Sequence, residues 1–262
     1  MSTPYSVLAR FYNNLIEDEG YKRYAKHVIK IVGENSKTKT GIDCACGSGT
    51  ITRELKRSGY DVLGVDISEE MLKTAKEISI KERLNVQYLK QDIKVLKSFN
   101  KVGFITCIND GLNYIESGDL LKVFKSFNKC LLKGGVLVFD VSTESKFKNV
   151  LNGQMFGENG EDLSYMWFGD YSESDKKISI TLTFFEKDGE VYKRYDEEQV
   201  EYAHSVDFIC EELKKAGFSL KTLTNECGEQ FKNEHQRAVF TAIKEWLWTL
   251  FIKHWLKTGI SH

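Results

Sequence analysis

The feature that most constrains this fold is a rhythm starting near residue 40, in which short apolar runs alternate with amphipathic stretches. Gly41-Ile42-Asp43-Cys44 reads as a buried strand, and a glycine-bearing loop leads from it into a helix from about Thr50 to Ser58. Val62-Leu63-Gly64-Val65-Asp66 is the next strand, after which Ser68 supplies an N-cap for a helix through about Ile78. Val86-Gln87-Tyr88-Leu89 and Val102-Gly103-Phe104-Ile105-Thr106-Cys107-Ile108 give a third and a fourth strand. A helix from about Leu120 to Leu132 is expected to close on Lys133-Gly134-Gly135 as a C-cap, ahead of a fifth strand, Val136-Leu137-Val138-Phe139-Asp140. Strands apolar at consecutive positions bury both faces, so the pattern predicts a doubly wound α/β fold on a mostly parallel sheet.

The rhythm breaks between about 144 and 203. Ile178, Ile180, Leu182 and Phe184 alternate with polar or smaller residues, Asp188-Gly189 marks a hairpin turn, and Val191 to Tyr202 resumes the alternation. Tyr165-Met166-Trp167-Phe168 offers a further strand. These features predict a small antiparallel β insertion acting as a lid. Ser205 then caps a helix reaching Lys215, Ala216-Gly217-Phe218 stops it, and Phe218 to Leu223 and Ala238 to Ile243 are expected as closing strands. Residues 5 to 32 read as two helices broken near Gly20. The expected division is a core of 1–143 and 204–243, an insertion of 144–203, and a C-terminal amphipathic helix within 244–262.

Charge and cysteine usage exclude several classes. The 37 basic residues nearly balance 38 acidic ones, for a formal net charge of −1, so no global field favours nucleic acid or an anionic membrane. The stretch Ile243 to Leu256 carries Lys, Glu and His and is too short to span a bilayer as a helix. Met-Ser-Thr-Pro-Tyr has neither the basic region nor the apolar run of a signal peptide, and a cytoplasmic location is expected. Cys44, Cys46, Cys107, Cys130, Cys210 and Cys227 contain no Cys-x-x-Cys pair, and the five histidines form no His-Glu-x-x-His pattern. Reduced, mostly buried thiols and no metal site are expected.

The loop after the first strand, Asp43-Cys44-Ala45-Cys46-Gly47-Ser48-Gly49, narrows the chemistry by elimination. A dinucleotide fingerprint starting at Gly47 would need a small residue where Thr52 stands, and the chain has no Gly-Lys pair for a P-loop and no Gly-x-Ser-x-Gly elbow. Small residues at 45, 47 and 49 let a ligand approach the backbone closely. Asp66, at the end of the following strand, suits a two-point grip on a ribose diol.

Residues 39 to 140 resemble the class I S-adenosylmethionine-dependent methyltransferases, whose Rossmann-like fold is the one expected here. Asp43 to Gly49 matches the family's Asp-x-Gly-x-Gly-x-Gly motif with Ala45 in place of its first glycine, and Gly64 to Leu72 matches the acidic second motif. Gln91-Asp92-Ile93 matches the third motif, Leu132-Lys133-Gly134-Gly135 the turn before strand five, and Ala216-Gly217-Phe218 also falls where the family has it. The resemblance implies S-adenosyl-L-methionine as cofactor. Asp43 would orient the ammonium of its methionine part, the backbone at Ala45, Cys46 and Gly47 would line its carboxypropyl arm, Asp66 would hold the ribose, and Gly49 and Ile67 would also contact the cofactor. Met71 would lie on the adenine face, Gln91, Asp92 and Ile93 would surround the adenine amino group, and Ile108 and Asn109 would border the sulfonium.

Pro4 is the sole proline, so the Pro-bearing motifs of DNA adenine-N6, cytosine-N4 and cytosine-C5 methyltransferases are absent, and no nucleic-acid partner is expected. The front helices and late insertion resemble the glycine and amino-sugar N-methyltransferase branch, in which Tyr12 would reach the cofactor carboxylate. The resemblance implies methyl transfer to a small molecule, at nitrogen more than oxygen. A small-molecule O-methyltransferase and a catalytically silent cofactor- or partner-binding protein are the alternatives. Asp110, Tyr114, Tyr165, Trp167 and His204 are the candidates for the acceptor side, with no general base assigned. The tryptophan-rich helix after Ile243 is read as docking on its own chain, with a homodimer or surface contact as the alternative.

Overall fold

The computed structural model describes residues 19–245 together with Ala9 and Phe11. Helix α1 (Glu19–Asn35) precedes β1 (Thr40–Cys44), α2 (Thr50–Arg57), β2 (Asp61–Asp66), α3 (Glu69–Lys81), β3 (Gln87–Lys90) and β4 (Val102–Cys107). Then come α4 (Leu120–Cys130) and β5 (Leu131–Ser142), followed by a short helical segment, Glu144–Lys146 continued by Phe147–Leu151. Four strands follow, β6 (Met155–Asn159), β7 (Leu163–Ser172), β8 (Lys177–Asp188) and β9 (Val191–Tyr202), and the chain closes with α5 (Val206–Lys215), β10 (Phe218–Thr224) and β11 (Arg237–Lys244).

Seven strands make one sheet in the order β10-β11-β5-β4-β1-β2-β3, in which β1 to β5 run parallel and β11 runs antiparallel to both its neighbours. Consecutive apolar residues serve opposite faces, as a period of two requires. Phe104, Val136 and Val138 pack with Val28, Val32, Ile51 and Leu55 on one side. Ile105, Leu137 and Phe139 pack with Phe124, Phe127 and Phe240 on the other, where Phe139 and Phe240 stack at 4.8 Å. Ser68 and Ser205 cap their helices as expected, accepting from the Met71 and Phe208 amides at 3.2 Å.

The insertion is a separate antiparallel sheet, β6-β7-β8-β9, with twelve residue pairs joining β8 to β9 around a two-residue turn at Gly189 and Glu190. Phe11 seals part of its inner face, stacking on Phe184 at 4.9 Å.

Two expectations need correction. Lys133-Gly134-Gly135 is no helix cap, because α4 ends at Cys130 and these residues already belong to β5. Gly134, at φ 72°, instead sits where the β4–β5 register jumps between Val102 and Phe104, a bulge needing the same left-handed backbone that a cap needs. The described helix starts at Glu19, beside the break expected near Gly20, and the residues just before it lie outside the described ones. Ile243 and Lys244 finish β11 instead of opening a helix. The rest of that C-terminal helix, and most of the front helix, lie outside the described residues. Of the six thiols, all unpaired, Cys44, Cys107 and Cys130 are buried while Cys227 is exposed. No helix among the described residues is long and apolar enough to cross a membrane.

Candidate active site

The loops leaving the carboxyl ends of β1, β2, β3 and β4 surround a cavity of about 420 Å³, within the size range of small-molecule sites. Ala45, Cys46 and Gly47 line it from the first loop, Asp66, Ile67 and Met71 from the second, Gln91, Asp92, Ile93 and Lys94 from the third, and Ile108, Asn109, Gly111 and Tyr114 from the fourth. This is the edge at which open α/β sheets take ligands.

Local backbone geometry explains the first loop. Ala45 (φ 50°) and Gly47 (φ 52°) are both left-handed, and a Cβ built at Gly47 meets nothing within 4 Å. The loop therefore presents main chain, not side chains, to the cavity. Its far end is tied to Asp66: the Gly47 amide donates to Asp66 Oδ2 at 2.8 Å and the Ser68 amide to Oδ1 at 2.9 Å. Burial raises the Asp66 pKa while these backbone donors pull it down. Asp92 accepts from the Lys94 amide at 2.8 Å and so caps the next turn while also facing the cavity. Beside these polar groups, Ile67 is half exposed and Met71 buried.

Other expected residues lie elsewhere. Asp43 is buried and does not reach the cavity; its two oxygens accept the hydroxyls of Thr52 (2.6 Å) and Thr106 (2.7 Å), and burial pushes its pKa up to about 6. Gly49 is packed against the Tyr88 ring at the start of α2. Asp110 is drawn away from the cavity into a bidentate pair with Arg237, at 2.7 and 2.9 Å. His204 is buried, its ring nitrogens 3.3 Å from Ser117 Oγ and from the Leu112 carbonyl, so it fastens the loop after β4 to the end of the insertion. Tyr165 and Trp167 belong to an aromatic cluster on the inner face of the small sheet, where Trp167 stacks on Phe156 at 4.6 Å. Tyr12 lies outside the described residues.

A further part of the lining comes from β9, a strand expected from the alternation after Asp188-Gly189 but not expected at the cavity. Glu198, Gln199, Val200 and Tyr202 of β9 line the cavity, whereas β7 lies two strands, about 10 Å, further out. The one local signal was that residues 196 to 201 carry polar groups on both faces of a strand. Behind this wall sits a buried ionic cluster. Arg237 Nη1 also reaches Asp140 Oδ2 at 2.8 Å, Asp140 accepts the Tyr24 hydroxyl, and Lys146 lies 3.8 Å from Asp110. Asn109 (φ 68°) and Asp110 (φ 66°) form a left-handed pair held by the Asp110 amide donating to Asp140 Oδ1 at 2.9 Å.

A doubly wound sheet whose strand-end loops offer bare backbone, a carboxylate after β2 and an apolar seat beside it has the frame of a site for a ribose-bearing cofactor such as S-adenosylmethionine. The cavity has the volume and the mix of groups that this cofactor needs. Residues 42–135 match the family described as Methyltransferase domain. The chain is 30% identical to the methyltransferase-family protein YqeM of Bacillus subtilis, over 84% of this chain and 88% of that one. It resembles the solved S-adenosylmethionine-dependent methyltransferase from Clostridium acetobutylicum with a TM-score of 0.82 and 30% identity, covering 92% and 99% of the two chains. The fold also matches the sugar N-methyltransferase KedS8 from Streptoalloteichus, with a TM-score of 0.74 at 18% identity over 94% and 95%. The chain belongs to the class I S-adenosylmethionine-dependent methyltransferases.

Proposed function

We propose that this enzyme methylates a small cytoplasmic molecule, at nitrogen in preference to oxygen, and that residues 144–203 select the acceptor. The observation carrying this reading is the polar wall of β9: Glu198, Gln199 and Tyr202, together with Tyr114, line a cavity of small-molecule size. A wall rich in carboxyl, amide and phenol groups suits an acceptor bearing an amine and hydroxyls. The fold likeness to a sugar N-methyltransferase supports the same class.

Asp66 would hold the ribose hydroxyls, Ile67 and Met71 the adenine face, and Asp92 with the Ile93 backbone the adenine amino group. The backbone of Ala45 to Gly47 would line the amino-acid arm, and Ile108 and Asn109 would border the reacting centre. When bound, the cofactor supplies a methyl group already activated by positive sulfur. The protein's remaining tasks are to aim the acceptor in line and to exclude water.

Release of S-adenosylhomocysteine in the presence of simple amines, amino sugars, matched alcohols and peptides tests this. Turnover is expected with an amino sugar or simple amine. Turnover with the alcohols alone would reverse the preference for nitrogen, and turnover with peptides alone would overturn the small-molecule reading.

A further inference from the structure

One strand of the insertion breaks the rule that inward positions are apolar. β8 turns Ile178, Ile180 and Leu182 inward, and their partners on β9 are Glu201, Gln199 and Glu197. All three are buried, with exposures of 8%, 5% and 3%. Such groups are tolerated only inside a hydrogen-bonded network. Gln199 Nε2 donates to Glu197 Oε1 at 2.7 Å, which turns Gln199 Oε1 toward Tyr114 as an acceptor. The Tyr114 hydroxyl lies 2.9 Å from that oxygen and 3.0 Å from Glu201 Oε1.

One phenolic proton cannot serve both oxygens. With Glu201 protonated, its own hydrogen goes to the Tyr114 oxygen and Tyr114 donates onward to Gln199. With Glu201 ionised, Tyr114 donates to Glu201 and Gln199 loses that donor. The two arrangements differ by a single proton and require no movement of heavy atoms. The groups facing Glu201 are Asp110 and Tyr114 from the loop after β4, Lys146 from the helical segment and Arg237 from β11, with Glu197 beyond Gln199 on its own strand. Burial and Asp110 raise its pKa, Lys146, Tyr114 and Arg237 oppose them, and the carboxyl is pushed up to about 7. Tyr114 and Gln199 line the cavity; Glu201 stands behind them.

We infer that Tyr114 and Glu201 form a relay that removes the proton a methyl acceptor must lose. An acceptor arriving as an ammonium breaks one N–H bond and gives that proton to the Tyr114 oxygen. The Tyr114 hydroxyl proton passes to Glu201, whose carboxylate becomes neutral. The nitrogen lone pair so freed forms the bond to the methyl carbon, the carbon–sulfur bond breaks, and its electron pair stays on sulfur. Glu201 returns its proton to water after the product leaves. A hydroxyl acceptor would lose its proton by the same route, so the relay rests only on the acceptor occupying this cavity, as proposed above. Tyr114 is the catalytic residue of the pair, and Glu201 acts through it.

Infrared difference spectra of the S-adenosylhomocysteine complex, taken from about pH 5 to about pH 9, read the relay without any acceptor. A carboxylic-acid band should disappear with a midpoint of about 7 and be missing from Glu201→Gln. For an acceptor that turns over, kcat/KM should rise with pH and level off above that midpoint, because the ionised carboxylate is the competent form. Glu201→Gln and Tyr114→Phe should each lose about a hundredfold and lose the pH limb. Calorimetric affinity of Glu201→Gln for S-adenosylmethionine should stay within about twofold, which separates a lost relay from a collapsed site. The relay is overturned if no carboxylic-acid band that Glu201→Gln lacks titrates between about pH 6 and pH 8, or if Glu201→Gln keeps the wild-type rate and profile. A panel in which nothing turns over counts against the acceptor class alone, and the infrared titration then decides the relay by itself.

Discussion

At the scale of single residues, Asp66 and Asp43 show how one residue type serves different ends. Asp66 faces the cavity and keeps lone pairs to spare after accepting two backbone amides. If Asp66 holds the ribose as proposed, Asp66→Ala should remove two charge-assisted hydrogen bonds to the cofactor, each worth about 1.5–3 kcal/mol before water compensates. Calorimetry should show affinity for S-adenosylmethionine falling more than about tenfold in a variant whose circular dichroism is unchanged. That Asp66 and Asp92 line the cavity could be read from sequence, because each stands at a strand end beside its own backbone partners. Asp43 could not, because Thr52 and Thr106, nine and 63 positions away, claim its oxygens and turn it inward. Ala45, standing for a glycine of the motif, still takes the left-handed backbone that the loop requires.

Among the elements, the joint between the two sheets is fastened by Asn113. Asn113, fully buried, donates from Nδ2 to the carbonyls of Ser142 and Tyr202 at 3.0 Å and accepts from the Ser142 amide at 2.9 Å. The Tyr202 amide donates in turn to the Asn113 carbonyl at 2.7 Å. One side chain thus clasps the end of β5 to the end of β9. Asn113→Ala should cost about 2–3 kcal/mol in urea unfolding, since it strands buried polar groups. Amide exchange should quicken at the Tyr202 end of β9 before it changes in β1 or β4. Elements with local punctuation, such as the helices capped by Ser68 and Ser205, were legible in the sequence. The start of β5 was not, because a bulge and a helix cap call for the same left-handed glycine. Nor was the choice of β9 over β7 as the cavity wall, since strand order depends on pairing between distant segments and not on any local pattern.

Across the whole molecule, Arg237 joins parts that are far apart in the chain. It bridges Asp110 after β4 to Asp140 on β5, and Asp140 reaches Tyr24 on α1. The guanidinium beside Asp110 holds that carboxyl well below the usual carboxylate range, against the opposing effect of burial. Its contribution to stability is therefore present above the ordinary carboxylate pKa and is lost as pH falls toward the lowered folded value. Arg237→Ala, which leaves two acids facing each other, should cost about 3–5 kcal/mol at neutral pH. Its melting temperature should rise on mild acidification, where the wild type gains nothing from this pair; a variant melting in parallel with wild type across that range would show that the cluster is not what ties these parts together. The cavity is lined by two separate stretches of chain, within residues 45–115 and 198–202. Heredity can therefore act on the two stretches separately. If the later stretch selects the acceptor as proposed, mutations there can drift toward a new one while selection holds the earlier stretch still, so a lineage can change its product without ever relearning how to grip the methyl donor.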